Sequence, residues 1–273
     1  MIANHCIERA SLSLQDFLQR FCSSMGVAYL KISFMNEELQ RSFGWPLRYT
    51  TRGRGTVEID LEATPSDFIW SSLFSKNRRW KMKRFEREGY EARQARGNSD
   101  LRDFYAVYHD NMKYIGARPY PYHFLENMWS LLYPLNLRIW VVAREKPIGG
   151  ILVLKDARRT YWLLAGIDRR QAYARYPVVN YLLWKEIETA EEEGYRYVSL
   201  GATPSDPDNL YYLQKTSFGG SFEQQEVAYY PCSSTGRVLL QAKAKAVSRW
   251  KTIRGFVPIR FRRMVERELQ RFY

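Results

Sequence analysis

Between Leu137 and Ile167 the apolar residues fall into three runs of strand length: Leu137–Arg144, Ile148–Leu154 and Thr160–Ile167. The links between them, Glu145-Lys146-Pro147 and Lys155-Asp156-Ala157-Arg158, are short and polar, so the pattern predicts a three-stranded antiparallel meander. Upstream the period lengthens. Leu101, Phe104, Tyr105, Tyr108 and Met112 recur at helical spacing behind Ser99 as a cap. Pro121 opens a second helix carrying Phe124, Leu125, Met128, Leu131 and Leu132, and Tyr90–Arg96 alternates like a strand. Downstream a helix from Pro177 to Glu193 stops at Gly194, followed by a strand at Tyr195–Leu200. A short helix at Asp208–Ser217 and a last strand at Phe222–Tyr230 complete the series.

The first sixty residues read as a helix (Ser13–Ser24) and two strands (Val27–Phe34, Thr56–Leu61). Thr64-Pro65-Ser66-Asp67 looks like a helix start with Ser66 as N-cap, and the helix continues, with a break near Ser75, to a stop at Gly89. Residues 90–230 therefore give the order β-α-α-β-β-β-α-β-α-β. That mixture indicates an α+β fold with a mixed, largely antiparallel sheet rather than a doubly wound one. Three segments are expected: a partial N-terminal lobe at 1–65, the main domain at 66–232, and C-terminal helices at 233–273.

The chain has 273 residues, 45% hydrophobic and 26% charged, which excludes disordered, collagenous and coiled-coil classes. No apolar run approaches the roughly 18 residues of a membrane span. His5, Glu8 and Arg9 stand where a signal peptide needs apolar residues, so a cytoplasmic location is expected. Cys6, Cys22 and Cys232 are odd in number and unpatterned, which suits a reducing compartment, and with His5, His109 and His123 they show no metal-ligand spacing. His109 and His123 lack a Ser, Cys or Asp partner at a known spacing and read as structural. Asp206 and Asp208 read as turn and cap residues.

The net charge of +13 is uneven. Residues 236–273 hold 11 Lys and Arg against 2 Asp and Glu, and Lys76–Arg87 holds seven basic residues against Glu86 alone. Such clusters attract phosphates of nucleic acid, lipid or cofactor, although a solvated helix face accounts for either one equally well. In the tail, Leu239, Ala242, Ala246, Trp250 and Ile253 form one apolar stripe with Lys243, Lys245 and Arg249 off it. Beyond Gly255 and Pro258, Phe261, Val265, Leu269 and Phe272 lie opposite Arg260, Arg263, Arg267 and Arg271. Apolar residues opposite arginines are the composition of a helix lying in an anionic membrane interface. Packing of the stripes on the main domain, or tRNA binding by the arginines, would use the same residues.

Three stretches resemble the FemAB and BioF-like N-acyltransferases, a branch of the GNAT superfamily. Arg79-Trp80-Lys81-Met82-Lys83-Arg84-Phe85-Glu86-Arg87-Glu88-Gly89 resembles that group's basic R-N-x-I-R-K-A-E-K-x-G helix. Ile148-Gly149-Gly150-Ile151-Leu152, with Tyr161 and Gly166, resembles its G-G hairpin and following strand. Leu200-Gly201-Ala202-Thr203 through Asp208–Lys215 to Phe218-Gly219 resembles L-G-G…L-x-x-F-K-x-x-F-G, with Gln214 in place of the Phe. Together with Asn180-Tyr181-Leu182-Leu183, these cover about residues 60–230; full-length members of the group have two tandem domains.

The resemblance implies transfer of an acyl or aminoacyl group to an amine, on a cell-envelope or lipid-linked precursor. A small-molecule N-acetyltransferase is the alternative enzyme, and a silent RNA- or membrane-binding module the alternative outside catalysis. Lys215, where the group keeps its lysine, is the candidate to stabilise the oxyanion of the tetrahedral intermediate. Tyr161 and Tyr211 are candidates to relay a proton. Arg79, Asn180 and Gly201 are candidates to bind substrate. Arg169-Arg170-Gln171-Ala172-Tyr173-Ala174 stands where GNAT enzymes carry R-x-x-G-x-G/A around the coenzyme A pyrophosphate, making Arg169, Ala172 and Ala174 candidates there. No permanently bound cofactor is expected; acyl-CoA or aminoacyl-tRNA would be the donor substrate.

Overall fold

The computed structural model describes residues 28–34, 49–169 and 177–253, with positions 16, 20 and 22 besides. In chain order these form β1 (Tyr29–Phe34), β2 (Tyr49–Asp60), α1 (Ser66–Phe68, continued by a π-helical turn, Ile69–Leu73), α2 (Lys76–Arg87), β3 (Glu91–Gln94), α3 (Asn98–Tyr114), α4 (Tyr122–Leu132), β4 (Leu137–Ala143), β5 (Pro147–Lys155), β6 (Arg159–Ile167), α5 (Val178–Glu192), β7 (Tyr197–Pro204), α6 (Leu210–Thr216), β8 (Ser221–Pro231) and α7 (Ser234–Ile253). The chain divides into two compact units, one of residues 54–223 and one of 1–53 with 224–273.

The larger unit contains the expected meander. β3–β4, β4–β5 and β5–β6 are all antiparallel, and β6 pairs parallel with β7. Residues Arg54–Asp60 of β2 pair antiparallel with β7, which makes this stretch part of the same sheet. The sheet is mixed and mostly antiparallel, as the element order implies.

Strand alternation divides the core in two. Leu137, Ile139 and Val141 of β4 pack with Leu101, Phe104, Tyr108, Leu125 and Trp129 from α3 and α4. Trp140 and Val142 face the other way, toward Leu182, Leu183 and Ile187 of α5 and Met82 and Phe85 of α2. Each such side chain stabilises the fold by about 1.5–3 kcal/mol when fully buried. Arg138, on the α5 side, is equally buried; its guanidinium pairs with Glu186 at 3.1 Å and with Glu193, and Trp140 Nε1 donates to Glu186 at 2.7 Å. Burial raises the Glu186 pKa and the Arg138 charge opposes the rise.

Helix ends follow the sequence signals with two corrections. Ser75 is the N-cap of α2, accepting from Arg78 N at 3.2 Å, and Gly89 and Gly194 adopt positive φ beyond α2 and α5. Ser66, expected as a cap, is instead the first residue of α1, with both its N–H and its hydroxyl donated to Glu191. α3 is preceded by Gly97 rather than capped by Ser99.

In the smaller unit β1 pairs antiparallel with Glu226–Pro231 of β8, and Tyr29, Tyr229 and Leu240 form a small cluster. Among the described side chains of α7, Gly236 and Leu240, one turn apart, are the buried positions. Leu239, Ala242 and Ala246 of the anticipated apolar stripe are exposed. The second tail helix anticipated beyond Gly255 lies outside the described residues.

Candidate active site

β6 and β7 run side by side for only three residue pairs: Arg159–Tyr197, Thr160–Val198 and Tyr161–Ser199. Yet β6 continues to Ile167 and β7 to Pro204. Beyond Tyr161 the two strands therefore part, leaving facing backbone edges that the ladder does not use. Both strands carry a bulge at the parting. On β6 the register with β5 slips so that Leu163 is extra, and its side chain is 48% exposed. On β7 two residues, Leu200 and Gly201, oppose Val57 of β2. Bulges re-aim side chains and end pairing, and here two of them flank one opening. Gly201 has φ +72°, and a Cβ there would overlap the Trp162 carbonyl oxygen, so only glycine fits.

Lys215 reaches this point from the last turn of α6, a helix capped by Asn209, whose side chain accepts from Tyr211 N at 2.9 Å. The lysine is only 7% exposed. Its Nζ donates to Ala202 O at 2.8 Å, Gly201 O at 3.2 Å and Thr203 Oγ1 at 3.2 Å, and lies 4.9 Å from the centroid of the Trp162 ring. Burial lowers its pKa from 10.5 to about 8. Thr203 Oγ1 also donates to Gly201 O at 2.9 Å, and Thr56 Oγ1 donates to the same carbonyl at 3.2 Å while sharing a 2.6 Å bond with Ser199 Oγ. Thr56, Ser199 and Thr203 are buried polar residues that the sequence reading passed over; their signal is a hydroxyl at an inward strand position.

Asn180, in the first turn of α5, accepts from Gln214 Nε2 at 2.7 Å, tying α6 to that helix end. Tyr211, one helical turn before Lys215, is exposed. Tyr161 is elsewhere. It alternates with Trp162, so it lies on the other face of β6 from Lys215. Its hydroxyl donates to Asp156 Oδ2 at 2.9 Å in the turn at the closed end of the strand pair, and burial raises its pKa.

Arg79 Nη1 donates to the carbonyls of Trp70, Ser71 and Phe74 at 2.7–2.8 Å, closing the C-terminal end of the π-helical turn. Its neighbour Arg78 fixes the end of α6: it donates to Ser217 O at 3.2 Å and Ser217 Oγ at 2.7 Å, with its guanidinium against the Phe74 and Phe218 rings. Arg169 follows β6 directly, donates Nε to Asn111 Oδ1 at 2.8 Å and lies over the Tyr114 ring. Ala172 and Ala174 lie outside the described residues. Among the described residues no three His, Cys, Asp or Glu side chains gather as metal ligands.

The sequence matches the family described as Acetyltransferase (GNAT) domain over residues 72–211. No curated protein matches it. The fold is similar to that of FemX (TM-score 0.60, 12% identity, 86% of this chain and 79% of that one). It is also similar to L-PGS from Bacillus licheniformis (0.55, 16%, 84% and 76%). A tandem GNAT protein from the clavulanic acid biosynthesis pathway aligns at 0.50 with 8% identity, over 81% and 69%. With a family match over more than half its length, this chain belongs to the GNAT acetyltransferase family and is an acyltransferase, taking an acyl donor and an amine acceptor.

Proposed function

We propose that this enzyme moves an acyl or aminoacyl group onto an amine of a cell-envelope or lipid-linked precursor, with Lys215 as the cation beside the reacting carbonyl. The observation that carries the reading is the buried Lys215 ammonium where β6 and β7 part. The neutral acceptor nitrogen would attack the donor carbonyl carbon; a C–N bond forms, the donor's C–S or C–O bond breaks, and the proton lost from the nitrogen ends on the departing thiol or hydroxyl. The carbonyl oxygen gains negative charge on the way, and one well-placed donor contributes roughly 3–4 kcal/mol at that stage. Tyr211, beside Lys215 on the helix, is the relay candidate kept in this scheme. Asn180, through Gln214, holds the helix that carries Lys215 and Gly201 the strand its ammonium donates to, while Arg79 fixes the π-helical turn and Tyr161 the β5–β6 turn. The names of the structural neighbours FemX and L-PGS, with a C-terminal domain (DUF2156) assigned to a lysylphosphatidylglycerol synthetase from Agrobacterium fabrum (TM-score 0.51, 14%, 71% and 65%), favour an aminoacyl donor and an envelope acceptor. The test offers acyl-CoA donors and, separately, charged tRNAs with amine acceptors, and reads product by mass spectrometry. Product with either donor class supports the reading, and no product with any pairing rejects it.

We propose a peripheral location on the inner membrane face, a reading that the composition of α7 supports. No helix among the described residues is long and apolar enough to cross a membrane. α7 carries no Asp or Glu, and Leu239, Ala242 and Ala246 are exposed beside exposed Arg237, Lys245 and Arg249. Each basic residue near anionic lipid contributes about 1 kcal/mol. The +13 charge would equally draw in a tRNA donor.

A further inference from the structure

The connection between α3 and α4 is unusual in what it exposes. Residues 113–124 include Lys113 and Arg118 and no carboxylate. Tyr114 is 71% exposed, Ile115 48%, Tyr120 51% and Phe124 40%. These side chains are held outward by an ordered loop. Ala117 N donates to Met112 O at 2.9 Å, Gly116 N to Lys113 O at 3.1 Å, and Tyr120 N to the Tyr108 hydroxyl at 3.1 Å. The rings of Tyr120 and Phe124 stack at 4.8 Å.

The loop's position gives this exposure a purpose. Gly166, near the end of β6, backs directly on the α3 backbone, since a Cβ there would overlap Tyr108 N and Cα. Arg169 then joins Asn111 and Tyr114 at the end of α3. The exposed aromatics therefore stand at the end of β6 where it has parted from β7, the open end of the candidate site. Aromatic residues belong at a membrane–water interface, and the loop's own Lys113 and Arg118 are drawn to anionic headgroups. Asp110 and Glu126 flank the loop on its helices, and Asp168 precedes Arg169.

We infer that the α3–α4 loop is a lip that docks on an anionic bilayer, so that the open end of the site receives a lipid-borne amine as acceptor. This rests on the acyl-transfer reading above. The experiment measures binding of full-length protein to phosphatidylcholine vesicles with and without about 30% phosphatidylglycerol. Ile115→Ser/Phe124→Ser is compared with Leu131→Ser/Leu135→Ser, which removes exposed leucines from the last turn of α4 and the turn that follows it. The lip variant should bind anionic vesicles about tenfold more weakly, with the control within about twofold of wild type. Ile115→Leu/Phe124→Trp should restore binding, which separates docking from damage to the fold. Wild-type binding by the serine lip variant, an equal loss in the control, or no dependence on anionic lipid would overturn the lip. A docking protein in place of lipid would give the last of these. Vesicle binding is scored without turnover, so the lip and the transfer reaction fail separately.

Discussion

Lys215 and Trp162 meet where the parallel strands separate, the ammonium 4.9 Å from the indole centroid. One residue comes from the helix after β7 and the other from β6, so the pair spans the vertex of the opening. An aromatic face accommodates a cation that burial would otherwise neutralise, and removes water from around it.

Replacing Lys215 by Ala should lower the transfer rate at least tenfold, about 1.4 kcal/mol in the barrier. Steady-state kinetics with whichever donor gives product is the check, and a wild-type rate removes Lys215 from the mechanism.

The rate should also fall as pH rises through about 8, where the Lys215 ammonium loses its proton. Lys215→Arg, which stays charged, should lack that descending limb whatever its absolute rate.

Stability should move in the opposite direction. The Lys215 pKa is depressed in the fold from 10.5 to about 8, so the unfolded chain binds more protons between those values. Folding stability should therefore rise by roughly 3 kcal/mol across that window from this group alone. Denaturant midpoints at pH 7.5 and 10 for wild type and Lys215→Met, compared as a difference, isolate it; equal pH dependence in the two proteins would contradict the burial cost.

Arg138→Met should destabilise the protein by about 3–5 kcal/mol, because Glu186 is left charged and unpaired in the core. Adding Glu186→Gln, which keeps an acceptor for Trp140 Nε1, should restore most of the loss. Thermal or denaturant melts decide between this coupling and simple additivity.

On α7, Leu239→Glu should weaken flotation on anionic liposomes about tenfold at low salt, and high salt should weaken the wild type likewise. Unchanged flotation of the variant would mean that the exposed stripe is not a membrane face.

The meander and the helices around it were readable because their signals are local: alternation, short polar turns, and glycines at helix ends. β2 was readable only in part, since its hydrogen bonds to β7 join residues more than 130 positions apart. Arg138 sits in a strand pattern that suits a surface residue; what buries it is Glu186, on another element. Arg79 and Arg78 form one basic run in sequence, yet each turns inward to carbonyls fixed by a π-helical turn or by the end of α6, which no spacing announces. Lys215 was found by resemblance alone, and its burial depends on two bulges that appear only when the strands are paired. The α7 stripe was legible as amphipathic, but which face packs was decided by Gly236, where the backbone of Ala28 leaves no room for a side chain.

The Gly201 carbonyl has more suitors than lone pairs. An amide oxygen offers two, and Thr56, Thr203 and Lys215 all point donors at it. If the ammonium turns away toward a substrate oxygen, the two threonines keep that carbonyl satisfied. The lysine is thus held by an exchangeable grip: its charge can be lent to a reacting group and taken back while the strand beneath it stays in place.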